Sequence, residues 1–402
     1  MLNTNGHVTL RTAESKSSVK KSERDMRRRT RNSPISCRPH LLALAPYPPG
    51  RPIEEVQREY GLKRVIKLAS NENPLGPSPK ALAALRRHAR EAHRYPDGNV
   101  YYLRQTLSRH LSVAPEQLMF GNGSDELIIW LALTYLSPRG SIIVSQYSFV
   151  RYQMAAQLVG ARWKTIPLIE WRHDLRAMAR AVSPQTQMIF LANPENPVGA
   201  MVGREEFERF LKAVPRRVLI VLDQAYFEYV RDKDYFNGID YIARHPNLVV
   251  LRTFSKVHGL AGLRIGYGVA HPQIVADVDR VRPPFNVNRL AQEAAAAAIE
   301  DADFVRKSVE TNEAGRRYLY GEFERLGLTY VPSQTNFVLV RVGREGLDGS
   351  AVAQEMMRRG VIVRPMAGFG LRDYVRISIG LPAENRLAMK TLATVLRQEA
   401  AR

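Results

Sequence analysis

A chain of 402 residues, 45% apolar and 24% charged, can bury more than one sizeable core and has the make-up of a soluble globular protein. No apolar run reaches the roughly 18–20 residues a membrane helix needs, and the single cysteine, Cys37, excludes an intramolecular disulfide or a cysteine-held metal cluster and fits a reducing compartment. The formal charge of +20 is unevenly spread, because residues 1–38 carry ten Lys/Arg against three Asp/Glu, with a cluster at Arg27, Arg28, Arg29 and Arg31.

That first segment holds too few large apolar residues to offset the entropy of ordering it, and a disordered basic extension is expected. A nucleic-acid-binding arm is the sharper reading of the same charge. Residues 1–38 lack the periodic apolar pattern of a helix-turn-helix, so a solvated extension is favoured. The segment has no apolar core of a secretory signal, and Glu14, Glu23 and Asp25 weigh against a transit peptide.

Further along, Gly121-Asn-Gly-Ser-Asp-Glu126 leads into an apolar run at Leu127–Leu136 that reads as a core helix. From about residue 140 short apolar strands alternate with helical patterns, the mark of an α/β fold whose mostly parallel sheet is covered by helices on both faces. Ser141–Ser145 reads as a strand and Phe149–Gly160 as a helix; Met188–Ala192 is a strand entering a Pro-rich loop, and Glu205–Val214 a helix. Val218–Asp223 and Leu248–Arg252 are further strands, each apolar throughout, as burial on both faces requires. An Ala-rich helix follows at Leu290–Ile299, then a region of mixed strands and helices with a strand at Tyr374–Ile379. The expected division is a basic extension (1–38), an N-terminal arm packing with the smaller domain (39–72), a large domain (73–288) and a smaller α+β domain (289–402).

Ligands of open α/β sheets bind beyond the carboxyl ends of the strands. That rule sets Asp223, Thr253, Ser255, Lys256 and the loop Asn193–Gly199 along one rim. Lys256 follows a buried strand, and a lysine in a dry pocket has a lowered pKa and can condense with an aldehyde. Thr253 and Ser255 can hydrogen-bond a phosphate, and Arg264 can make bidentate contacts to the same dianion. Gly123, Ser124 and Asp125 open a helix, whose free N–H groups and dipole attract an anion. Asp223, at a strand end, suits a protonated pyridine nitrogen, and Tyr226 and Asn196 can reach a ring phenolate oxygen.

The motifs NPENPVG, DQAY and TFSKVHGLAGLR, in that order and spacing, resemble those of the aspartate-aminotransferase-type pyridoxal-phosphate enzymes. The resemblance implies a seven-stranded, mostly parallel large domain and pyridoxal 5′-phosphate as cofactor. It makes Lys256 the Schiff-base lysine, Asp223 the partner of the ring nitrogen, Asn196 and Tyr226 the ring-oxygen ligands, Arg264 a phosphate ligand and Phe149 the aromatic stacked on the ring. More narrowly, LASNENPLGPSP (68–79), RYPDG (94–98), GNGSDE (121–126), PFNVN (284–288), PSQTNFVLV (332–340), GVIVRP (360–365) and RISIG (376–380) are similar to stretches of the histidinol-phosphate aminotransferase family. That family resemblance assigns Arg364 and Arg376 to the anionic end of the substrate, and places Tyr47, Asn73 and Tyr95 beside it, Tyr95 reaching across from a partner subunit. It implies a cytoplasmic homodimer that transfers the amino group of L-histidinol phosphate to 2-oxoglutarate, with small molecules as its only ligands besides the cofactor and no metal.

Two residues depart from the family pattern: Val198 where threonine is usual, and Gln224 where an acidic residue is usual. Neither removes a group the chemistry requires. His258, two residues past the lysine, reads as a packing residue rather than a base. An aromatic amino-acid aminotransferase is the nearest competing reading, because an imidazole pocket differs little from a phenyl one. Threonine-phosphate decarboxylase and a cofactor-fold DNA-binding regulator are more remote.

Overall fold

In chain order the strands are β1 (Ile66–Leu68), β2 (Leu118–Gly121), β3 (Ser141–Ser145), β4 (Arg162–Ile166), β5 (Leu168–Ile169), β6 (Arg172–His173), β7 (Thr186–Ala192), β8 (Leu219–Asp223), β9 (Leu248–Thr253), β10 (Gly266–Val269), β11 (Tyr330–Val331), β12 (Phe337–Arg341), β13 (Val361–Pro365) and β14 (Tyr374–Ser378). The structure, a computed structural model, describes residues 35–42, 44, 46 and 50–400. The basic extension up to residue 34 and Tyr47 therefore lie outside the described residues. Residues up to 48 form a unit of their own, in which Pro39–Leu41 makes one turn of 3-10 helix. The unit from 49 to 402 carries the strands found among the described residues.

Its larger sheet has seven strands in the order β2-β10-β9-β8-β7-β3-β4. Strands β9, β8, β7, β3 and β4 pair in parallel, and β10 runs against both neighbours. The central strands are apolar throughout because successive residues point to opposite faces and both faces are covered. Met188, Phe190 and Ala192 of β7 join one core cluster, while Ile189 and Leu191 join the other. The same alternation separates Leu219 and Val221 from Ile220 and Leu222 in β8.

A second sheet of five strands runs β1-β13-β14-β12-β11. Its core gathers Ile66, Leu68, Val338, Val340, Val363 and Ile377 with residues of the helices Ala302–Arg325, Gly349–Arg358 and Pro382–Ala400. β1 enters by pairing in parallel with β13, and the helix Ile53–Tyr60 buries Val56 against Met357 and Ile362.

The helix Arg289–Ile299 corrects the expected boundary at 288/289. Ala291, Ala294, Ala295, Ala298 and Ile299 belong to the core of the larger sheet, with Leu103, Leu107 and Val250. Small side chains let this helix lie close against the helix Pro79–His88, so it serves the first core and not the second. Among the described residues no helix is long and apolar enough to cross a membrane.

Candidate active site

Three of the parallel strands end within a few residues of one another on the same rim. Asp223 closes β8 and pairs in register with Ala192, the last residue of β7. The Asn193 N–H donates to the Asp223 carbonyl at 2.9 Å, so the loop to Gly199 begins level with the Asp223 carboxylate. Lys256 stands three residues past the end of β9.

Asp223 is 6% exposed. Tyr152 Oη donates to its Oδ2 at 2.9 Å and the Ala225 N–H to its Oδ1 at 3.1 Å. Burial pushes its pKa up to about 6 against the pull of those two donors. The carboxylate is thus ionised at neutral pH, yet held where a cationic partner gains most from it. Sequence reasoning gave Tyr152 no part in the site. It is wholly buried, stacked on Phe190 at 4.7 Å, and lies one helical turn past Phe149, whose ring meets it edge-on at 5.7 Å.

Lys256 is half-buried, its Nζ 5.6 Å from the centre of the Tyr226 ring. Burial lowers its pKa to about 8, with the Arg376 guanidinium acting in the same direction and Glu72, Arg264 and Asp223 as further charges within reach. The amine is therefore neutral in a substantial fraction of molecules near pH 8. His258 is buried beside Phe254, ring centres 5.0 Å apart, and burial lowers its pKa to about 4. It packs, as the sequence indicates.

Tyr226 is held by Asn71, whose Nδ2 donates to the phenol oxygen at 2.9 Å. Asn71 has a left-handed φ of 55°, and Ser378 of β14 accepts from its N–H and donates to its Oδ1, both at 2.9 Å. Asn73, expected beside the substrate, spends most of its hydrogen-bonding capacity within the protein. Its Nδ2 donates to Val257 O at 2.7 Å and Ser308 Oγ at 2.9 Å, and its Oδ1 accepts from the Leu75 N–H. A side chain so placed pins the Lys256 loop to the long helix, with both amide hydrogens spent and one lone pair of Oδ1 left over. Asn71, two residues earlier in the same stretch, is the asparagine that reaches the site.

Arg376 is 7% exposed. It donates to Asn196 Oδ1 at 2.5 Å and to Ala69 O at 3.0 Å, with its guanidinium 5.0 Å from the Phe337 ring centre. Because the Asn196 carbonyl is engaged by Arg376, its amide nitrogen is the end left to donate to a ligand. Arg364 sits directly across the β13–β14 ladder from Arg376.

The residues expected to take a phosphate also come together. The helix Ser124–Tyr135 begins after Gly123 with no side-chain cap, so its first N–H groups are open to an anion. Gly123 is in the left-handed region, and a Cβ there would stand 2.7 Å from a terminal nitrogen of Arg264. A Cβ on Gly266 would stand 2.4 Å from the Ser124 nitrogen. Glycine at both positions is what lets Arg264 and the helix start share one small space. Arg264 is exposed and, among the described residues, donates to two carbonyls, Ala261 O at 3.1 Å and Asn122 O at 3.5 Å. Thr253 donates to Ser255 at 3.0 Å on the adjoining wall. The cradle fits the phosphate of the cofactor the resemblance implies. The Asp125 carboxylate is taken by a two-point contact with Arg151, which leaves its backbone N–H as the contributing group.

Both departures are accommodated. Val198 is fully buried with Val331, Leu339, Met366 and Leu371, where a methyl packs and a hydroxyl would need a partner. Gln224 is fully buried; its Nε2 donates to Tyr235 Oη and Phe236 O, and its Oε1 accepts from Arg252 and from the Gly238 N–H. The amide keeps one hydrogen bond from Arg252 and adds two donations that a carboxylate could not make, with one fewer buried charge. Tyr95 is 81% exposed and stacks on the half-exposed Phe285 at 5.0 Å.

The family model of aminotransferase class I and II matches residues 63–392. The histidinol-phosphate aminotransferase of Moorella thermoacetica is 49% identical over 90% of this chain and 93% of its own length. Histidinol-phosphate aminotransferase 1 of Nitrosococcus oceani is 47% identical over 89% and 96%. The crystal structure of the Sinorhizobium meliloti histidinol-phosphate aminotransferase in complex with pyridoxal-5′-phosphate superimposes with a TM-score of 0.83 at 29% identity, over 92% of this chain and 100% of that one. The chain belongs to the class I and II aminotransferases and, within them, to the histidinol-phosphate aminotransferase family.

Proposed function

We propose that the chain moves the amino group of L-histidinol phosphate to 2-oxoglutarate, giving imidazole acetol phosphate and L-glutamate, and that it works as a cytoplasmic homodimer. Membership of the family supports the activity, and the observation that carries the substrate class is the pair Arg364 and Arg376 facing each other across neighbouring strands. Two guanidiniums suit a phosphate dianion, and the same pair accepts the carboxylates of the second substrate. The exposed aromatic pair Tyr95 and Phe285 supports a partner subunit, because large apolar side chains at such exposure mark contact surfaces.

When bound, pyridoxal 5′-phosphate supplies an aldehyde carbon for the substrate amine and a ring that accepts the electron pair of the Cα–H bond. The N–H groups of Ser124 and Asp125, the Thr253 and Ser255 hydroxyls and Arg264 would hold its phosphate. Asp223 would keep the proton on its ring nitrogen, Tyr226 and the Asn196 amide would donate to its ring oxygen, and Phe149 would cover the ring. The Lys256 amine would anchor it at rest and, when free, would take the proton from substrate Cα. A base near pKa 8 is charged and uncharged in comparable measure at working pH, as two-way proton transfer needs.

The test is kcat/KM for histidinol phosphate, phenylalanine and tyrosine, each with 2-oxoglutarate. Histidinol phosphate is expected to lead by about 100-fold, the scale of losing a charged contact to a buried guanidinium. A preference for either unphosphorylated amino acid would overturn the substrate. Arg376→Ala is expected to raise KM for histidinol phosphate and for 2-oxoglutarate alike. A rise confined to one would mean that the two do not share the arginine.

A further inference from the structure

We propose that His173 and Glu195 form a buried positioning couple that sets Asn196 and Phe149 against the cofactor ring. The inference rests on the function proposed above and adds two residues to its machinery. Both side chains are 1% exposed, and His173 Nε2 lies 2.8 Å from Glu195 Oε2. Neither touches Lys256, Asp223 or the phosphate cradle through any hydrogen bond found among the described residues. What they touch are the points from which the ring-binding residues are launched.

His173, on β6, reaches across to the ends of two strands of the larger sheet. Its Nδ1 lies 2.5 Å from Ser145 Oγ at the end of β3, and its Nε2 lies 2.7 Å from Ala192 O at the end of β7. Phe149 follows the first strand end by four residues, and Asn196 follows the second by four. Glu195 immediately precedes Asn196, and the Asn196 and Phe149 backbone N–H groups both favour its ionised form. One buried pair thus joins the two segments that flank the ring. The loop around Glu195 is otherwise fixed by its own backbone, with the Glu195 N–H donating to Ala200 O at 2.9 Å and the Gly199 N–H to Glu195 O at 2.6 Å. The Glu195 side chain is therefore not needed to close the loop.

The hydrogen-bond inventory makes the couple adjustable. Ala192 O and Glu195 Oε2 are both acceptors and compete for the one hydrogen on Nε2, so Nε2 is the protonated nitrogen in either charge state of the ring. With neutral imidazole, Ser145 donates to Nδ1. With imidazolium, Nδ1 donates to Ser145, whose hydroxyl can turn to Met178 Sδ, 3.4 Å away. Burial disfavours the imidazolium, yet the Glu195 carboxylate and the Ala192 carbonyl carry the net effect on His173 upward. Burial also raises Glu195 against the pull of His173 and of those two N–H groups. The charged and polar groups facing the pair are Glu206 from the helix Arg204–Ala213, Asp223 from β8 and Tyr152 from the helix Val150–Val159. A wholly buried ionisable pair is seldom the most stable filling of its space, since an apolar pair of like volume does as well or better. Its place beside two ring-binding residues is the reason to assign it a positioning role.

The experiment is a double-mutant cycle on the holoenzyme between Glu195→Gln and Asn196→Ala. Two quantities are read: the pH midpoint of the visible absorption change of bound pyridoxal phosphate, and its Kd for the cofactor-free protein. Glu195→Gln should move the midpoint by about 0.5 unit or more and weaken binding by about fivefold, because it removes a charge within a few ångströms of the ring-oxygen ligand. In the Asn196→Ala background both effects should fall to less than about half, the non-additivity of residues acting through one another. Effects equal in both backgrounds, or absent in both, would overturn the proposal. Should the Glu195 variant fail to fold, Ser145→Ala removes only the hydroxyl partner of Nδ1 and is read by the same criteria. Wild-type protein that bound no pyridoxal phosphate would instead sink the function itself.

Discussion

Replacing Lys256 with alanine will lower kcat for amino transfer by about 10⁴-fold or more, since on the proposed mechanism it removes both the covalent tether and the base that moves the Cα proton. Cofactor binding will survive, because the phosphate cradle of Ser124, Asp125, Thr253, Ser255 and Arg264 and the Asp223 carboxylate lie elsewhere. The checks are equilibrium dialysis of pyridoxal phosphate and single-turnover kinetics with histidinol phosphate. Turnover near the parent rate would end the mechanism. Loss of cofactor together with turnover would mean that the lysine holds the site together and does not act in it. Arginine in its place would not substitute, because a guanidinium keeps its proton where an amine with a pKa near 8 gives it up.

Asp223→Asn pulls activity and stability in opposite directions. In the cofactor-free protein the carboxylate is buried with its pKa raised from 3.8 to about 6. A folded-state pKa above the unfolded one means that this group favours the folded state most when protonated. Its contribution is fully present below about pH 4 and is lost as pH rises through about 6. At pH 8 the charge is simply buried, at a cost of about 1–3 kcal/mol. Asparagine is nearly isosteric; its Oδ1 can accept from the Ala225 N–H while its Nδ2 donates to the Tyr152 hydroxyl, so urea unfolding at pH 8 should show the cofactor-free variant more stable by that order. The advantage should shrink as pH falls towards 4, where the parent carboxyl is neutral. With cofactor bound, kcat should fall by about 10³-fold, as an amide cannot hold a proton on the ring nitrogen. A variant both less stable at pH 8 and fully active would refute the role given to this residue.

Much of the site can be read from the chain because its chemistry is local. Lys256 with Thr253, Ser255 and Arg264 lies within twelve residues, and the apolar run before Asp223 announces a strand end. The rest depends on distances that no spacing encodes. In SNEN the resemblance points to Asn73, yet Asn71, in a left-handed turn, is the one that meets Tyr226, while Asn73 braces the Lys256 loop. His173 and Glu195 are 22 positions apart on different segments, each unremarkable until β6 folds over the ends of β3 and β7. The Ala-rich helix Arg289–Ile299 shows an apolar face without saying which core it will join, so its allegiance emerges only from packing.

All of these readings converge on the ε-amino group of one lysine. Borohydride reduction of the protein saturated with pyridoxal phosphate, followed by proteolysis and mass spectrometry of the peptides, tests it directly. The account predicts one stoichiometric pyridoxyl adduct, on the peptide that carries Lys256. An adduct on another lysine, or none at all, would contradict it.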